Sequence, residues 1–288
     1  MKVLILGASG LLGNMVFRSL SESVDLEVYG TVRSEHVCDL FLDNLRGHLI
    51  VVKDLTLLQD LRELLEKVRP SIVINCISVG RPIPGALEFL LPLLSVLPQR
   101  LLYLCSYMGI RLVQISSDGI FSGQKGGYTE KDIPDAEDAY GIAKLLGEVE
   151  GRAVTVRTSL LGPELEAKSG LLEWFLSQPG ECKGYLESIF SGVTTLELAK
   201  CLKDFIIPNQ DLSGVFHVVG PSCSKFELLK MIKSEYGAVV SIVPDNSLRV
   251  DRSLSGEKLK KVTGYSAPGW VEMLHAMRNY KFGLKVGI

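Results

Sequence analysis

The run Gly7-Ala8-Ser9-Gly10-Leu11-Leu12-Gly13 follows an apolar stretch at 2–6 and precedes an amphipathic one at 11–21. Three glycines at that spacing leave the chain few ways to fold. Gly7 permits a tight turn out of a strand, Gly10 lets the backbone approach a charged group, and Gly13 lets the next helix pack closely on the strand. Strand, glycine turn and helix in that order open a βαβ unit. The first N–H groups of the helix then point at any anion in front of it. The spacing G-x-x-G-x-x-G differs by one residue from the G-x-G-x-x-G of many dinucleotide-binding turns.

The first half repeats this theme. β-branched runs at 26–32, 49–53, 72–75, 112–116 and 154–158 alternate with helical patterns, which predicts a parallel sheet. Several runs are apolar at consecutive positions, as strands must be when helices cover both faces. Thr56-Leu57-Leu58-Gln59 reads as a capping box, and Leu58, Leu61, Leu65 and Val68 form one helical stripe that ends at Pro70. After residue 158 the alternation loosens, with a helix expected at 195–207, a strand at 215–219 and helices at 225–236 and 271–280. The fold expected is α/β, a Rossmann-type doubly wound parallel sheet over 1–158 that is rejoined by about 193–220. A smaller, interleaved C-terminal substrate lobe is expected over 159–288.

Bulk properties narrow the classes. The chain has 288 residues, 47% of them hydrophobic, enough to bury a sizeable core. A net charge of −2 gives no electrostatic case for nucleic acid or an anionic membrane as partner. Six cysteines without paired spacing predict reduced thiols in a cytoplasmic protein and no zinc site. The first thirteen residues place a lysine before an apolar run, yet they carry the glycine turn and no small-residue cleavage site, so they are not read as a leader. The very apolar stretch at 85–105 is broken by Glu88, Pro92, Pro98 and Arg100, and reads as a buried core helix.

Two further places carry chemistry. Tyr140 and Lys144 stand four apart on a helical pattern running to Glu148, so they share a face. A phenol titrates at about 10, too high to exchange protons readily at neutral pH. A nearby ammonium and a cationic nicotinamide would both pull that value down, and the lysine could also hold the nicotinamide ribose. In Gln114-Ile115-Ser116-Ser117 a strand runs straight into hydroxyls that can hold a carbonyl oxygen.

The strand ends specify the cofactor. Gly30-Thr31-Val32-Arg33 closes the second strand with an arginine where an acidic residue would bind the ribose 2′-hydroxyl of NAD. Arg33 therefore favours a 2′-phosphate and NADP, with NAD as the alternative. Asp54 and Leu55 end the third strand, where an adenine amino group is often held. Asn75-Cys76-Ile77-Ser78 ends the fourth, at the carboxyl edge where ligands lie in such sheets. Cys76 has an equally simple reading as a small buried thiol.

Ser117, Tyr140 and Lys144 in that order, after a glycine-rich first turn, resemble the extended short-chain dehydrogenase/reductases. The stretches ISSDGIFSG, YTEKDIPDAEDAYGIAKLLGE and VRTSLLG resemble the dTDP-4-dehydrorhamnose reductase family, which reads ISTDYVFDG, a Y-x-E loop, YGxxKxxGE and RTSW. The likeness covers nearly the whole chain and is strongest from Ile115 to Gly162. It implies that Ser117 takes the place of the family's catalytic threonine, that Tyr140 is the general acid and that Lys144 is its partner. It also implies hydride transfer from NADPH to a 4-keto carbon of a nucleotide-linked deoxysugar.

Gly119 replaces the family's tyrosine in STDY and Leu160 its tryptophan in RTSW, which makes dTDP-4-dehydrorhamnose itself a doubtful substrate. Trp174, Phe190, Tyr128 and Arg81 are candidates for replacement contacts. Two other readings fit the same scaffold. One is a nucleotide-sugar epimerase or dehydratase, for which Asp118 is the only nearby carboxylate. The other is a non-catalytic, cofactor-binding regulatory subunit, since that of animal methionine adenosyltransferase is similar to this same reductase family. A homodimer is expected by analogy with the superfamily.

Overall fold

The computed structural model describes residues 1–79, 87–166 and 169–285. Its central sheet has seven parallel strands: β1 (Lys2–Leu6), β2 (Glu27–Val32), β3 (Leu49–Val51), β4 (Ile72–Asn75), β5 (Arg111–Ile115), β6 (Val154–Arg157) and β7 (Gly214–His217). They lie in the order β3-β2-β1-β4-β5-β6-β7, so the winding reverses between β1 and β4 and opens a crevice at the carboxyl edge there. Each expected strand of the first half is present within two residues. The expected return strand is β7, paired parallel to β6, and it makes the lobes interleave.

The main helices are α1 (Leu11–Ser21), α2 (Leu58–Val68), α3 (Leu97–Met108), α4 (Ala139–Leu146), α5 (Thr195–Cys201), α6 (Lys225–Tyr236) and α7 (Trp270–Asn279). Successive side chains of β1 point to opposite faces, and both faces are buried. Val3 and Ile5 belong to the core shared with Met15, Val16 and Phe17 of α1 and Leu196 of α5. Leu4 and Leu6 belong to the core on the other side, with Leu61 and Leu65 of α2 and Leu97 and Leu101 of α3. Helices on both faces explain why these strands read as continuous apolar runs.

The apolar stretch forms a helix from Leu87 to Met108, whose 22 residues are long and apolar enough to cross a membrane by length and composition. It packs as a core element instead, burying Leu90, Leu94, Leu97, Leu101 and Leu104. The part of the expected stretch before Leu87 lies outside the described residues. Its prolines widen one turn, Pro92–Val96, in which the N–H of Leu97 bonds to the carbonyl of Pro92. Pro98 has no N–H to give the Leu94 carbonyl four residues back. Gly147 packs against that carbonyl so tightly that a Cβ there would stand 1.8 Å from the oxygen.

Two expectations fail. The capping box at Thr56 does not form, because Asp54 Oδ1 accepts from both the N–H and the hydroxyl of Thr56. The helix starts after Leu57 with no side-chain cap. The second half also holds more sheet than its pattern suggested. Glu181–Phe190 pairs parallel with Ser241–Asp251 and antiparallel with Cys223–Ser224. α6 crosses between these strands and opens on a true capping box, Ser224 with Glu227.

Candidate active site

The glycine turn leaves β1 at Gly7, whose φ of 81° suits glycine and few other residues. Thr31 fixes it from β2: the Gly7 N–H donates to Thr31 Oγ1 at 3.0 Å and the Ala8 N–H to the Thr31 carbonyl at 2.8 Å. Gly13 packs so closely under the turn that a Cβ would meet the Gly7 carbonyl oxygen at 2.0 Å. α1 then begins at Gly10 with no side-chain cap and no acidic residue in its first turn. A Cβ at Gly10 would meet nothing nearer than 3.4 Å, so the approach to the free N–H groups is open. Uncapped donors at a positive helix end, reachable along the backbone, fit a pyrophosphate. Ser9, Leu11 and Leu12 sit in this turn.

Around it stand the other residues singled out in the sequence. Arg33 is exposed just past the end of β2, which suits contact with a phosphate. Asp54 is exposed and follows β3, with its carboxyl held below the usual range by the two bonds from Thr56. Leu55 beside it is buried. Ile77 lies against Gly7. Cys76 is buried, and desolvation pushes its thiol up to about 12, so it is a packing residue with no nucleophilic character.

The hydroxyl, phenol and ammonium converge at the carboxyl edge. Ser117 follows β5 directly and caps a short turn, accepting from the Gly119 N–H at 3.0 Å and donating to Asp118 Oδ1 at 3.2 Å. Asp138 caps α4 by accepting from the Gly141 N–H at 2.8 Å, and this sets Tyr140 in the first turn. A Cβ at Gly119 would lie 3.2 Å from Ser117 Oγ and 3.5 Å from the Tyr140 ring, so these groups are neighbours. The Tyr140 hydroxyl is 3.4 Å from Ser78 Oγ at the end of β4, on the cofactor side. Lys144, one turn further, is 4% exposed and donates to the Ile115 carbonyl at 3.1 Å. An ammonium has three donors, so others remain for a ribose or a phenolate.

A second set of residues was quoted in the sequence motifs but assigned no role. Glu148, just past α4, accepts from Ser116 Oγ at 2.7 Å and from Arg157 Nε and Nη2 at 2.8 Å each. The two charged side chains are 10% and 6% exposed. Arg157 ends β6, faces the Phe121 ring at 5.5 Å and reaches His217 Nε2 at 3.5 Å. His217 is fully buried, and burial with the Arg157 charge lowers its pKa to about 4. This cluster ties the end of α4 to β5, β6 and β7. A charge closing an otherwise apolar strand was the available signal, because such a group demands a buried partner.

The substrate side differs from the expectation in detail. Tyr128 is buried and stacks on Phe121 at 4.1 Å, its hydroxyl accepting from the N–H groups of Gly123 and Lys125. Phe190 packs on Trp270 at 5.2 Å, and Trp174 is 40% exposed on a lobe helix. None of these three is shown as a replacement contact, and Arg81 lies outside the described residues. Leu160 pairs with Val193 beside the site. Desolvation raises the carboxyl pKa of Asp118 while the charges of Lys225 and Arg252 pull it down. Arg252 also lies 3.8 Å from the Asp138 carboxylate.

With this geometry established, comparison with known proteins is informative. The family model described as NAD dependent epimerase/dehydratase family matches residues 3–158, and the RmlD substrate binding domain matches residues 93–280. Methionine adenosyltransferase 2 subunit beta of Xenopus laevis is 30% identical over 151 residues, 51% of this chain and 41% of that protein. A probable low-salt glycan biosynthesis reductase of Haloferax volcanii is 31% identical over 155 residues, 51% of this chain and 48% of that protein. The chain thus spans less than half the length of either relative. A dTDP-4-dehydrorhamnose reductase from Bacillus anthracis, solved with NADP, shares the fold with a TM-score of 0.79 at 22% identity, covering 96% of this chain and 98% of that one. The first model alone spans more than half of the sequence, so the chain belongs to the NAD dependent epimerase/dehydratase family, within the extended short-chain dehydrogenase/reductases, and carries an RmlD substrate binding domain.

Proposed function

We propose that this protein is an NADPH-dependent reductase of a 4-keto nucleotide-linked deoxysugar. The observation that carries the proposal is the convergence of Ser117, Tyr140 and Lys144 next to an uncapped, open glycine turn. Bound NADPH would supply the hydride. Gly7, Ser9, Gly10, Leu11, Leu12 and Gly13 would hold its pyrophosphate and Arg33 its 2′-phosphate. Asp54 and Leu55 would flank the adenine, and Cys76, Ile77 and Ser78 would line the nicotinamide end.

Ser117 then donates to the substrate carbonyl oxygen and orients it. Tyr140 delivers the proton to that oxygen, and Lys144 favours the phenolate left behind while it holds the ribose. The Bacillus anthracis structure, solved with NADP, supports this choice of cofactor, with NAD the alternative. Gly119 and Leu160 favour a sugar other than dTDP-4-dehydrorhamnose. A cytoplasmic location is supported by six free cysteines. We propose a homodimer on the strength of exposed Phe89, Tyr103 and Tyr107, which lie on one helix; sedimentation tests it.

The deciding experiment mixes the protein with NADPH and a panel of 4-keto nucleotide sugars and follows the loss of NADPH absorbance. Turnover of at least one member is expected. Tight NADPH binding without any turnover would reject the reductase and favour a regulatory subunit, a reading supported by the likeness to methionine adenosyltransferase 2 subunit beta.

A further inference from the structure

A cavity of about 730 Å³ lies on the flank of α1, and none of the residues given a catalytic or cofactor role lines it. Its walls come from α1, the 163–165 loop, the lobe helix at 171–176, α6, α7 and the segment after α7. Met15, Leu165, Leu172 and Leu284 make much of the lining apolar.

Three polar atoms on these walls, Arg18 Nη2, Glu173 Oε2 and Tyr280 Oη, are buried without a hydrogen-bond partner. Arg18 is 2% exposed, and its Nη2 has no hydrogen-bond partner. Its guanidinium lies 4.9 Å from the Tyr280 ring, gives Nε to the Phe282 carbonyl and reaches Asn14 Oδ1 at 3.4 Å, but forms no ion pair among the described residues. On the opposite wall Glu173 uses Oε1 to accept the Glu164 N–H at 2.7 Å, and leaves Oε2 buried without a partner. Buried polar atoms are nearly always satisfied, and a buried charged donor most of all. Three unsatisfied atoms lining one cavity, a cationic donor, a carboxylate oxygen and a phenol, need one explanation.

We infer that this cavity is a second ligand site, taking a small organic anion with an apolar body. The anionic group accepts from Arg18 Nη2, the apolar body lies against Met15, Leu165 and Leu172, and a hydroxyl or N–H at the far end donates to Glu173 Oε2. Charge at the mouth favours an anion: Arg278, Lys281 and Lys285 border the cavity, against Glu164 and Glu173. Arg278 and Lys285 are already engaged by Glu235 and Asp43, and of the cations on these walls Arg18 is the buried one with an unsatisfied donor, which makes it the anchor.

The probe is 8-anilinonaphthalene-1-sulfonate, a sulfonate on an aromatic body with one N–H, titrated by fluorescence into protein already saturated with NADPH. One saturable site is expected. Arg18→Met should weaken it by about tenfold or more, the loss expected for a hydrogen bond to a charged group. Leu165→Trp, which fills the cavity and leaves Arg18 in place, should weaken it as much, and it decides the matter if Arg18→Met fails to fold. Absence of saturable binding to the NADPH complex, or unchanged affinity in Leu165→Trp, would overturn the inference.

Discussion

The Glu148–Arg157 pair offers the sharpest test of how α4, which carries Tyr140 and Lys144, is held. Glu148→Gln keeps the shape of the side chain but removes its charge. Arg157, with a side chain only 6% exposed, is then left beside His217 and Phe121 without the carboxylate that pairs with it. Removing one partner of a buried pair costs about 3–5 kcal/mol, because the other charge stays desolvated. Arg157→Met strands Glu148 with only the Ser116 hydroxyl and should cost about as much. In a large domain each kcal/mol moves the melting temperature by about 2–4 °C, so each single variant should melt about 6–20 °C below wild type.

The double variant Glu148→Leu/Arg157→Met removes both charges and keeps apolar volume. It should lose much less than the two single losses combined, since a buried pair is often replaceable by hydrophobic groups. Thermal unfolding followed by circular dichroism measures all four proteins. Because the pair is buried, high salt should leave the differences in place. If either single variant melted within about 2 °C of wild type, or if the losses simply added in the double, the pair would not be what fixes the end of α4.

Three further outcomes are expected. Tyr140→Phe should lower turnover by about 10²–10⁴-fold while NADPH affinity, read by fluorescence titration, stays nearly constant; wild-type turnover would remove the tyrosine from its role. Arg33→Ala should narrow the gap between NADPH and NADH dissociation constants, and an unchanged preference would mean that another residue reads the phosphate. His217 is held neutral with a folded pKa of about 4, below its ordinary 6.5, so its stabilising contribution is present above 6.5 and is lost as pH falls toward 4. Wild type should therefore lose about 2 kcal/mol of urea stability between pH 7 and pH 5 through this ring, and His217→Gln should lose correspondingly less; identical slopes would refute the assignment.

What was legible in the sequence was what depends on neighbours in the chain. The strand, turn and helix at the N-terminus are set by glycines within seven residues, and Tyr140 and Lys144 by a helical period. The lobe strands were harder to see. Glu181–Phe190 mixes charges and Gly184 into its run, and Ser241–Asp251 contains Pro244 and a register shift between Asp245 and Arg249. Both rely on pairing with each other, which no local pattern records. Thr56 was misread because the rival acceptor, Asp54, lies before the motif. Glu148 and Arg157 stood in view, but their pairing needs a turn between α4 and β6 that brings together two residues nine positions apart.

The same contacts explain how Tyr140 and Lys144 can keep their positions while residues 119 and 160 differ from those of the reductases this chain resembles. α4 is pinned at both ends by backbone: Gly141 packs under the Gly119 carbonyl, where a Cβ would stand 2.2 Å away, and Gly147 packs under that of Leu94. Asp138 caps the first turn, and Glu148 locks the chain just past the last. None of these contacts uses a side chain at 119 or 160. A Cβ at Gly119 would meet Ser117 Oγ at 3.2 Å and the Tyr140 ring at 3.5 Å, contacts that small adjustments accommodate. Leu160 pairs with Val193 along the backbone, and its half-buried side chain packs against the core. Changes at these two positions therefore reshape the space in front of Ser117 and Tyr140 without moving either residue. Under the proposed function, a sugar that needs the family's tyrosine or tryptophan would lose those contacts here, while proton delivery from Tyr140 would keep its geometry.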